Sequence, residues 1–349
     1  MKIGFYNPYL DGLGGGERYT LTLASHWSKK HEVDLFWDND GIIKDSEKRF
    51  GIDLFRTHTV SNIFRTGNMI QKALCTKKYD MIFFLTDGSI PTSFAKHNIL
   101  HIQVPFRFMK VPFYKKRQFS AIVCNSRFTK ENIDKTLASD AYVIYPPVST
   151  DKFMPGKKSK TILSVGRFSA GYQAKKQEIL ISAFRQGIVS GVLRGYSLTF
   201  AGGLLDTDKI YFQSIKDMAQ SLPVTFFVNC PFGDLQHLYA NSMIYWHAAG
   251  YGEDNPEHME HFGISTVEAM RAGCVPVVYK GGGQPEIVTD GENGFLFMSP
   301  DELIAKTERL ITHEELRKSM AKKARARALD FSTGRFCSEF DTLLTTICG

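Results

Sequence analysis

The chain predicts an α/β fold of two Rossmann-like domains in tandem, each a parallel sheet with helices on both faces. Short apolar runs of strand length alternate with helix-period stretches along most of the sequence. A break marked by proline and glycine divides that alternation into two series. A length of 349 residues suits two domains of ordinary size. Strand runs that are apolar along their whole length belong to parallel sheets buried on both sides.

In the first series Lys2–Tyr6, Glu32–Trp37, Asp80–Leu85, Asn98–Gln103, Ala121–Cys124 and Tyr142–Tyr145 read as strands. Helical patterns such as Gly15–Ser28 and Arg127–Leu137 lie between some of them. Pro146-Pro147 and then Pro155-Gly156-Lys157-Lys158-Ser159 mark a linker. The second series places strands at Thr161–Val165, Leu198–Ala201, Val224–Val228, Met243–Trp246, Val275–Val278 and Gly294–Phe297. A last helix, Thr333–Ile347, follows a break at Asp330–Ser332. The expected domains are residues 1–156 and 157–330, with 331–349 as a closing helix. In such sheets ligands bind at the carboxyl ends of the strands.

Composition is that of a globular protein, 43% hydrophobic and 23% charged, without repeats. The start Met1–Tyr6 reads as a strand and is too soon interrupted by Asn7-Pro8 for a signal peptide. No run approaches the roughly 18 apolar residues that span a bilayer. Six cysteines without a Cys-x-x-Cys read as reduced residues of a cytosolic protein. The net charge of +7 is carried by the first part: residues 1–156 hold 22 Lys and Arg against 15 Asp and Glu. From Gly88 to Lys130 there is no acid, and Phe106, Phe108, Phe113, Tyr114 and Phe119 interleave with the bases. A basic, aromatic-rich surface suits an anionic partner: phospholipid headgroups, a lipid pyrophosphate or nucleic acid. Alternatively the bases are a solvated face and the aromatics point into the core.

The most informative stretch is Glu260-His-Phe-Gly-Ile-Ser-Thr-Val-Glu268-Ala-Met-Arg-Ala-Gly273. Ile264–Ala272 reads as a helix, with Ala269, Met270 and Ala272 on its buried side and Ser265 or Thr266 as a cap. Unpaired N–H groups at its start form a site for phosphate, flanked by Glu260 and Glu268. Upstream, Arg167 and Lys175 follow a buried strand and could meet a diphosphate as a fork and a point charge. Lys176 is adjacent and could serve instead. Gly14-Gly15-Gly16-Glu17 after the first strand is not the dinucleotide fingerprint, because Glu17 stands where the third glycine belongs. Its glycines suit close backbone approach to a ligand, with a helix starting at Gly16.

Taken in order, Gly166-Arg167-Phe168, Lys175-Lys176-Gln177, Trp246-His-Ala-Ala-Gly250, the Glu260–Glu268 block, Gly281-Gly-Gly-Gln-Pro-Glu286 and Asn293-Gly-Phe295 resemble the retaining glycosyltransferases of family 4. That resemblance implies the GT-B fold, with two Rossmann-like domains facing across a cleft. It implies an acceptor site in the first domain and a nucleoside diphosphate sugar in the second, with no metal or other cofactor. Glu268 matches the residue on the ribose hydroxyls, and Glu260 the one facing the transferred sugar. Phe262, Gly263, Ile264 and Ser265 match the phosphate donors, and Gly15 and Gly16 a double glycine near donor and acceptor. The branch it looks most like contains the mannosyltransferases of lipid-linked glycans. This points to GDP-mannose as donor and a glycan or lipid-linked acceptor. Residues 96–130 would then touch an anionic membrane at its cytoplasmic face, and nucleic acid is not expected.

The chain departs from the family pattern at Leu100-His101-Ile-Gln103-Val-Pro105. Related enzymes have a histidine near the sugar where Gln103 stands here. Residues two apart share a face of an extended segment, so His101 could join Gln103 in catalysis or be a packed histidine at a strand end. Asp38-Asn-Asp40 and Asp206-Thr-Asp208 mimic a metal signature but fall in turn-like stretches. His258-x-x-His261, near His247, Glu257 and Glu260, could hold zinc, yet the phosphate site accounts for the neighbourhood better. The rival functions are a GT-B epimerase or phosphorylase, and a basic membrane- or nucleic-acid-binding protein with a relict donor site.

Overall fold

The computed structural model describes residues 1–12, 14–171 and 173–349, and in it parallel strands gather into two sheets. The first holds β1 (Lys2–Tyr6), β2 (Glu32–Phe36), β3 (Thr57–Val60), β4 (Met81–Leu85), β5 (His97–Ile102), β6 (Ala121–Cys124) and β7 (Ala141–Val143), in the order β3-β2-β1-β4-β5-β6-β7. The second holds β8 (Ser159–Val165), β9 (Ser197–Gly202), β10 (Val224–Val228), β11 (Ser242–His247), β12 (Val275–Tyr279) and β13 (Phe295–Phe297), in the order β10-β9-β8-β11-β12-β13. Each chain path runs outward from β1 or β8 and then jumps to the other side, to β4 or β11. The switch points are thus β1/β4 and β8/β11, and the carboxyl ends of those strands are where ligands bind.

Two compact units carry these sheets: Met1–Pro147 with Thr333–Gly349, and Val148–Ser332. In the first, the pleat sorts side chains cleanly. Ile3, Phe5, Val33, Met81, Phe83 and Val123 face Tyr19, Leu23 and Trp27 of the helix Gly15–Trp27, and Phe336, Phe340 and Leu343 of the helix Thr333–Cys348. Phe36, Ile82, Phe84, Leu100, Ile102 and Cys124 face the other way, against Met109, Val111 and Leu137. Each such large side chain removed from water contributes roughly 1.5–3 kcal/mol. In the second unit the helix Gln177–Val189 buries Leu180, Ile181, Ala183 and Phe184 against Ile162, Phe200 and Trp246.

Some elements differ from the expected ones. The edge strand β3, Thr-His-Thr-Val, carries no apolar run, and the helices Gly41–Phe50 and Met69–Thr76 were not foreseen. The helix expected at Arg127–Leu137 is two pieces, Arg127–Asn132 and Lys135–Ala138. Asp134 breaks it, because its carboxylate accepts the Thr136 N–H at 2.8 Å and caps a new start. None of the six cysteines is joined in a disulfide among the described residues; Cys124, Cys274 and Cys337 are buried and Cys348 is exposed.

Of the two placements open to His101, the structure has the packed one. The ring is fully buried on β5 and stacks on Tyr19 with centroids 3.9 Å apart. Its Nδ1 lies 3.1 Å from the Val123 carbonyl, and Nε2 has no partner. Burial pushes its pKa down to about 3, so the ring stays neutral in the fold. The unfolded chain therefore takes up a proton below the ordinary value of 6.5 that the folded chain refuses. Stability is lost as pH falls from there, by about 1.4 kcal/mol per pH unit for each such group. His101→Phe keeps the ring stack, so it should flatten the fall in thermal midpoint below neutrality. Thermal unfolding followed from pH 8 to pH 4.5 measures this, and an unchanged slope would reject it.

Candidate active site

The charged groups of the second unit meet at the β8/β11 switch point. β8 ends at Val165, and Gly166 follows without a side chain; a Cβ there would stand 2.6 Å from Cγ of Lys175. The bare backbone lets the Lys175 stem lie across the strand end. Its ammonium reaches Oε2 of Glu260 at 2.7 Å. β11 ends at His247, whose Nε2 lies 3.0 Å from the same oxygen. Burial pushes the Glu260 carboxyl up, but the Lys175 charge and the His247 hydrogen bond outweigh it and hold it well below the usual carboxylate range. His247 is itself buried, which lowers its pKa and keeps it a neutral donor to Glu260. The result is an anchored, ionised carboxylate.

Glu260 leads directly into a helix start shaped for an anion. The helix runs Ile264–Arg271, and its cap is Gly263 at φ 121°, a left-handed conformation that glycine tolerates. The cap expected from Ser265 or Thr266 is absent. Ser265 Oγ instead accepts from the Tyr245 hydroxyl at 2.8 Å, and Thr266 Oγ1 is buried without a partner. Among the described residues no side chain caps this start: the Thr266 and Val267 N–H groups go to the Gly263 carbonyl at 3.0 and 3.2 Å, which leaves those of Ile264 and Ser265 as the ones a helix start cannot satisfy internally. Gly283 donates its N–H to the Glu260 carbonyl at 2.7 Å, and a Cβ at Gly282 would collide with that carbonyl. Beside this turn sits Gln284, fully buried, with both amide atoms unpartnered. A Cβ added at Gly263 would stand 2.6 Å from its Nε2. Phe262 is buried against Phe331, ring centroids 5.2 Å apart, so only its backbone can face a ligand. One turn along, Glu268 is buried and accepts from the Tyr239 hydroxyl at 3.1 Å.

Arg167 stands at the same strand end, exposed, with no side-chain hydrogen bond or ion pair recorded among the described residues. Lys176 parts from Lys175: in a left-handed conformation, φ 54°, it turns to Glu253 at 2.7 Å. His258 Nδ1 lies 3.3 Å from the other Glu253 oxygen. His261 uses Nδ1 on Gln173 at 3.1 Å and Nε2 on the Pro256 carbonyl at 3.1 Å, so the three histidines weighed for zinc serve different partners. Asp38 accepts the Asn62 N–H, and Asp206–Asp208 forms a 3-10 turn. Among the described residues no three His, Cys, Asp or Glu side chains converge on a point that could hold a metal ion.

In the first unit Gly16 and Gln103 come together at the carboxyl ends of β1 and β5. A Cβ at Gly16 would stand 2.6 Å from Oε1 of Gln103. The helix begins at Gly15, as the helical pattern Gly15–Ser28 has it, and Glu17 folds back to accept the Gly14 N–H at 2.7 Å. His101 takes no part in this cluster. Gln284 is a functional candidate that sequence reasoning passed over, and His247 one that it weighed only for zinc. Both lie inside motifs that it quoted, Trp246–Gly250 and Gly281–Glu286. The signal for them was a polar residue at a strand end and one inside a glycine turn.

Comparison with known proteins assigns the family. The profile of "Glycosyl transferases group 1" matches residues 149–327, more than half of the chain, and that of "Glycosyltransferase Family 4" matches residues 13–152. The chain is 24% identical over 238 residues to a GDP-Man:Man(3)GlcNAc(2)-PP-Dol alpha-1,2-mannosyltransferase of Dictyostelium discoideum, covering 63% of this chain and 46% of the relative. It is 27% identical over 236 residues to the Xenopus laevis protein of that name, covering 63% and 47%. A glycosyltransferase of Methanocaldococcus jannaschii is 26% identical, covering 63% and 57%. The chain thus spans about half the length of the curated relatives it matches. In fold it is similar to Anabaena HepE in complex with UDP and glucose, with TM-score 0.72, 20% identity and 99% and 100% of the two chains covered. The glycosyltransferase from Rickettsia africae gives TM-score 0.75 at 16% identity, covering 99% and 98%. The chain therefore belongs to the group 1 glycosyl transferases, and its fold is of the GT-B type.

Proposed function

We propose that the protein is a retaining hexosyltransferase that moves a sugar, mannose in the reading favoured here, from a nucleoside diphosphate to a glycan or lipid-linked acceptor. The observation that carries this reading is the Lys175–Glu260–His247 cluster beside the open helix start at Ile264. The second unit holds the donor. Its diphosphate lies on the N–H groups of Gly263, Ile264 and Ser265, where the positive end of the helix favours an anion. Glu268 accepts from the ribose hydroxyls, and Glu260 accepts from hydroxyls of the transferred sugar. Breaking the bond between the anomeric carbon and the phosphate oxygen sends its electron pair to the diphosphate. The helix start, Arg167 and Lys175 neutralise that growing charge without a metal. The acceptor oxygen enters from the face the diphosphate leaves, and its proton passes to a departing phosphate oxygen. The acceptor is bound by the first unit, where Gly16 and Gln103 come together beside Gly15.

The base and sugar follow the relatives. The Dictyostelium discoideum and Xenopus laevis relatives are named for GDP-Man and Man(3)GlcNAc(2)-PP-Dol, whereas HepE is known in complexes with UDP and UDP-glucose. Thermal-shift titration with GDP, UDP and ADP should give the largest shift with GDP, and a preference for UDP would overturn the mannose reading. Proton NMR of the product should show the donor's anomeric configuration kept; inversion would sink the retaining mechanism.

Glu268→Ala should raise the donor KM roughly 10- to 100-fold, the loss expected for charged hydrogen bonds. Glu260→Gln preserves shape and removes charge, so it should lower kcat about 100-fold with little change in donor affinity. Steady-state kinetics with donor binding by calorimetry separates the two, and full activity in both variants would remove the site assignment. His247→Phe should lower kcat roughly ten-fold through loss of Glu260 orientation. A change confined to donor Kd would contradict that role.

A further inference from the structure

Two connections of the second unit follow its switch-point strands. The stretch 173–176 leads from the β8 side into the helix Gln177–Val189, and 248–263 leads from β11 into the helix Ile264–Arg271. Three side-chain bridges join them. The Gln173 amide donates to Nδ1 of His261 at 3.1 Å, Lys175 reaches Glu260 at 2.7 Å and Lys176 reaches Glu253 at 2.7 Å. The outer two bridges anchor residues in an unusual conformation. Gln173 has φ 57° and Lys176 φ 54°, the left-handed region that side chains rarely adopt. Such residues persist where the surrounding structure over-determines them.

Lys176 is the one that bears on the site. It caps the helix Gln177–Val189, a position at which the backbone is ordinarily extended. Its carbonyl accepts the Ile179 N–H at 3.1 Å, so the helix holds the residue on one side. On the other side is Lys175, whose stem crosses the bare Gly166 backbone toward Glu260. Relaxing φ of Lys176 to the ordinary helical value of about −63° would turn the preceding chain by more than about 100° against the helix. That turn carries Lys175 away from Glu260. A left-handed residue 176 is thus the backbone condition for the Lys175–Glu260 ion pair.

The anchor for Lys176 is set by its own loop. The Glu253 N–H donates to the Gly250 carbonyl at 3.1 Å, in a turn where Gly250 and Gly252 have φ 88° and 72°. His258, closing the 3-10 turn Pro256–His258, places Nδ1 3.3 Å from the second Glu253 oxygen. The Lys176 and Glu253 side chains are only 20% and 23% exposed, so the pair is shielded from the water and salt that weaken surface ion pairs. The pair is therefore able to hold a strained backbone in place.

We propose that Lys176 and Glu253 are positioning residues: their ion pair holds the left-handed turn that lets Lys175 reach Glu260, and neither side chain touches the donor. Their role rests on the donor-site reading of Lys175 and Glu260.

Glycine separates backbone from charge, because it stays left-handed without an anchor. The measured quantity is GDP release from GDP-mannose, with UDP release from UDP-glucose in parallel, at a temperature where thermal unfolding shows the variants folded. Glu253→Gln and Lys176→Ala should each lower kcat about ten-fold, with donor KM changed by less than about two-fold. Lys176→Gly should retain at least about five-fold more kcat than Lys176→Ala, and added to Glu253→Gln it should recover most of the lost kcat. Should Glu253→Gln unfold, the comparison of Lys176→Ala with Lys176→Gly carries the test alone. A Lys176 ammonium that contacts the donor would make glycine as harmful as alanine and give no rescue, which overturns the proposal. A thermal midpoint lowered in Glu253→Gln and Lys176→Ala with kcat of the folded enzyme unchanged overturns it too. Glu260→Gln, run alongside, tells the failures apart. If it loses turnover while Glu253→Gln does not, only the clasp falls; if both keep full kcat, the donor-site reading falls and the clasp with it.

Discussion

The polar cluster of the second unit rests on keeping one largely buried carboxylate ionised. An unpaired charge in such a place costs several kcal/mol, and Glu260 avoids that only because a lysine and a neutral histidine converge on one of its oxygens. Those partners come from the ends of β8 and β11, strands far apart in sequence that are neighbours at the switch point. The backbone of Glu260 is held as well, through the Gly283 N–H. Four chain segments are therefore fixed relative to one another by this residue. The glycines at 166 and 282 are the steric condition for that convergence, since a side chain at 166 would meet Lys175 and one at 282 the Glu260 carbonyl.

Much of this was legible in the sequence because the governing signals are local. Apolar runs marked ten of the strands with bounds close to those seen, and the helix start after Gly263 follows from the Phe-Gly-Ile step before an apolar-periodic stretch. Signals that need a third dimension were not legible. His247 reads as a polar residue closing a strand, and only the adjacency of β8 and β11 gives it Glu260 as a partner. Gln284 reads as one more residue of a glycine turn until its amide is seen without a partner. The Ser265 cap failed because Tyr245, on another strand, takes that hydroxyl.

His101 shows where a local rule stops. Alternation puts residues 101 and 103 on one face only while the strand continues, and β5 ends at Ile102. Gln103 therefore leaves the pleat and meets Gly16, whereas His101 stays in it and packs on Tyr19. The edge strand β3 and the helix Met69–Thr76 were missed for the opposite reason. One is too polar and the other too apolar on its outer side to match the pattern of an element that buries one face.

The closing helix has a consequence for how the chain is made. Phe336, Phe340 and Leu343 complete the core beneath Tyr19 and Trp27, although more than three hundred residues separate them in sequence. During synthesis the first sheet thus emerges early yet lacks part of its cover until residues 333–349 leave the ribosome. The later-made unit contains all of its own core and can finish first. Translation order thus need not be folding order: the amino-terminal sheet is made first and is the last to receive its full cover.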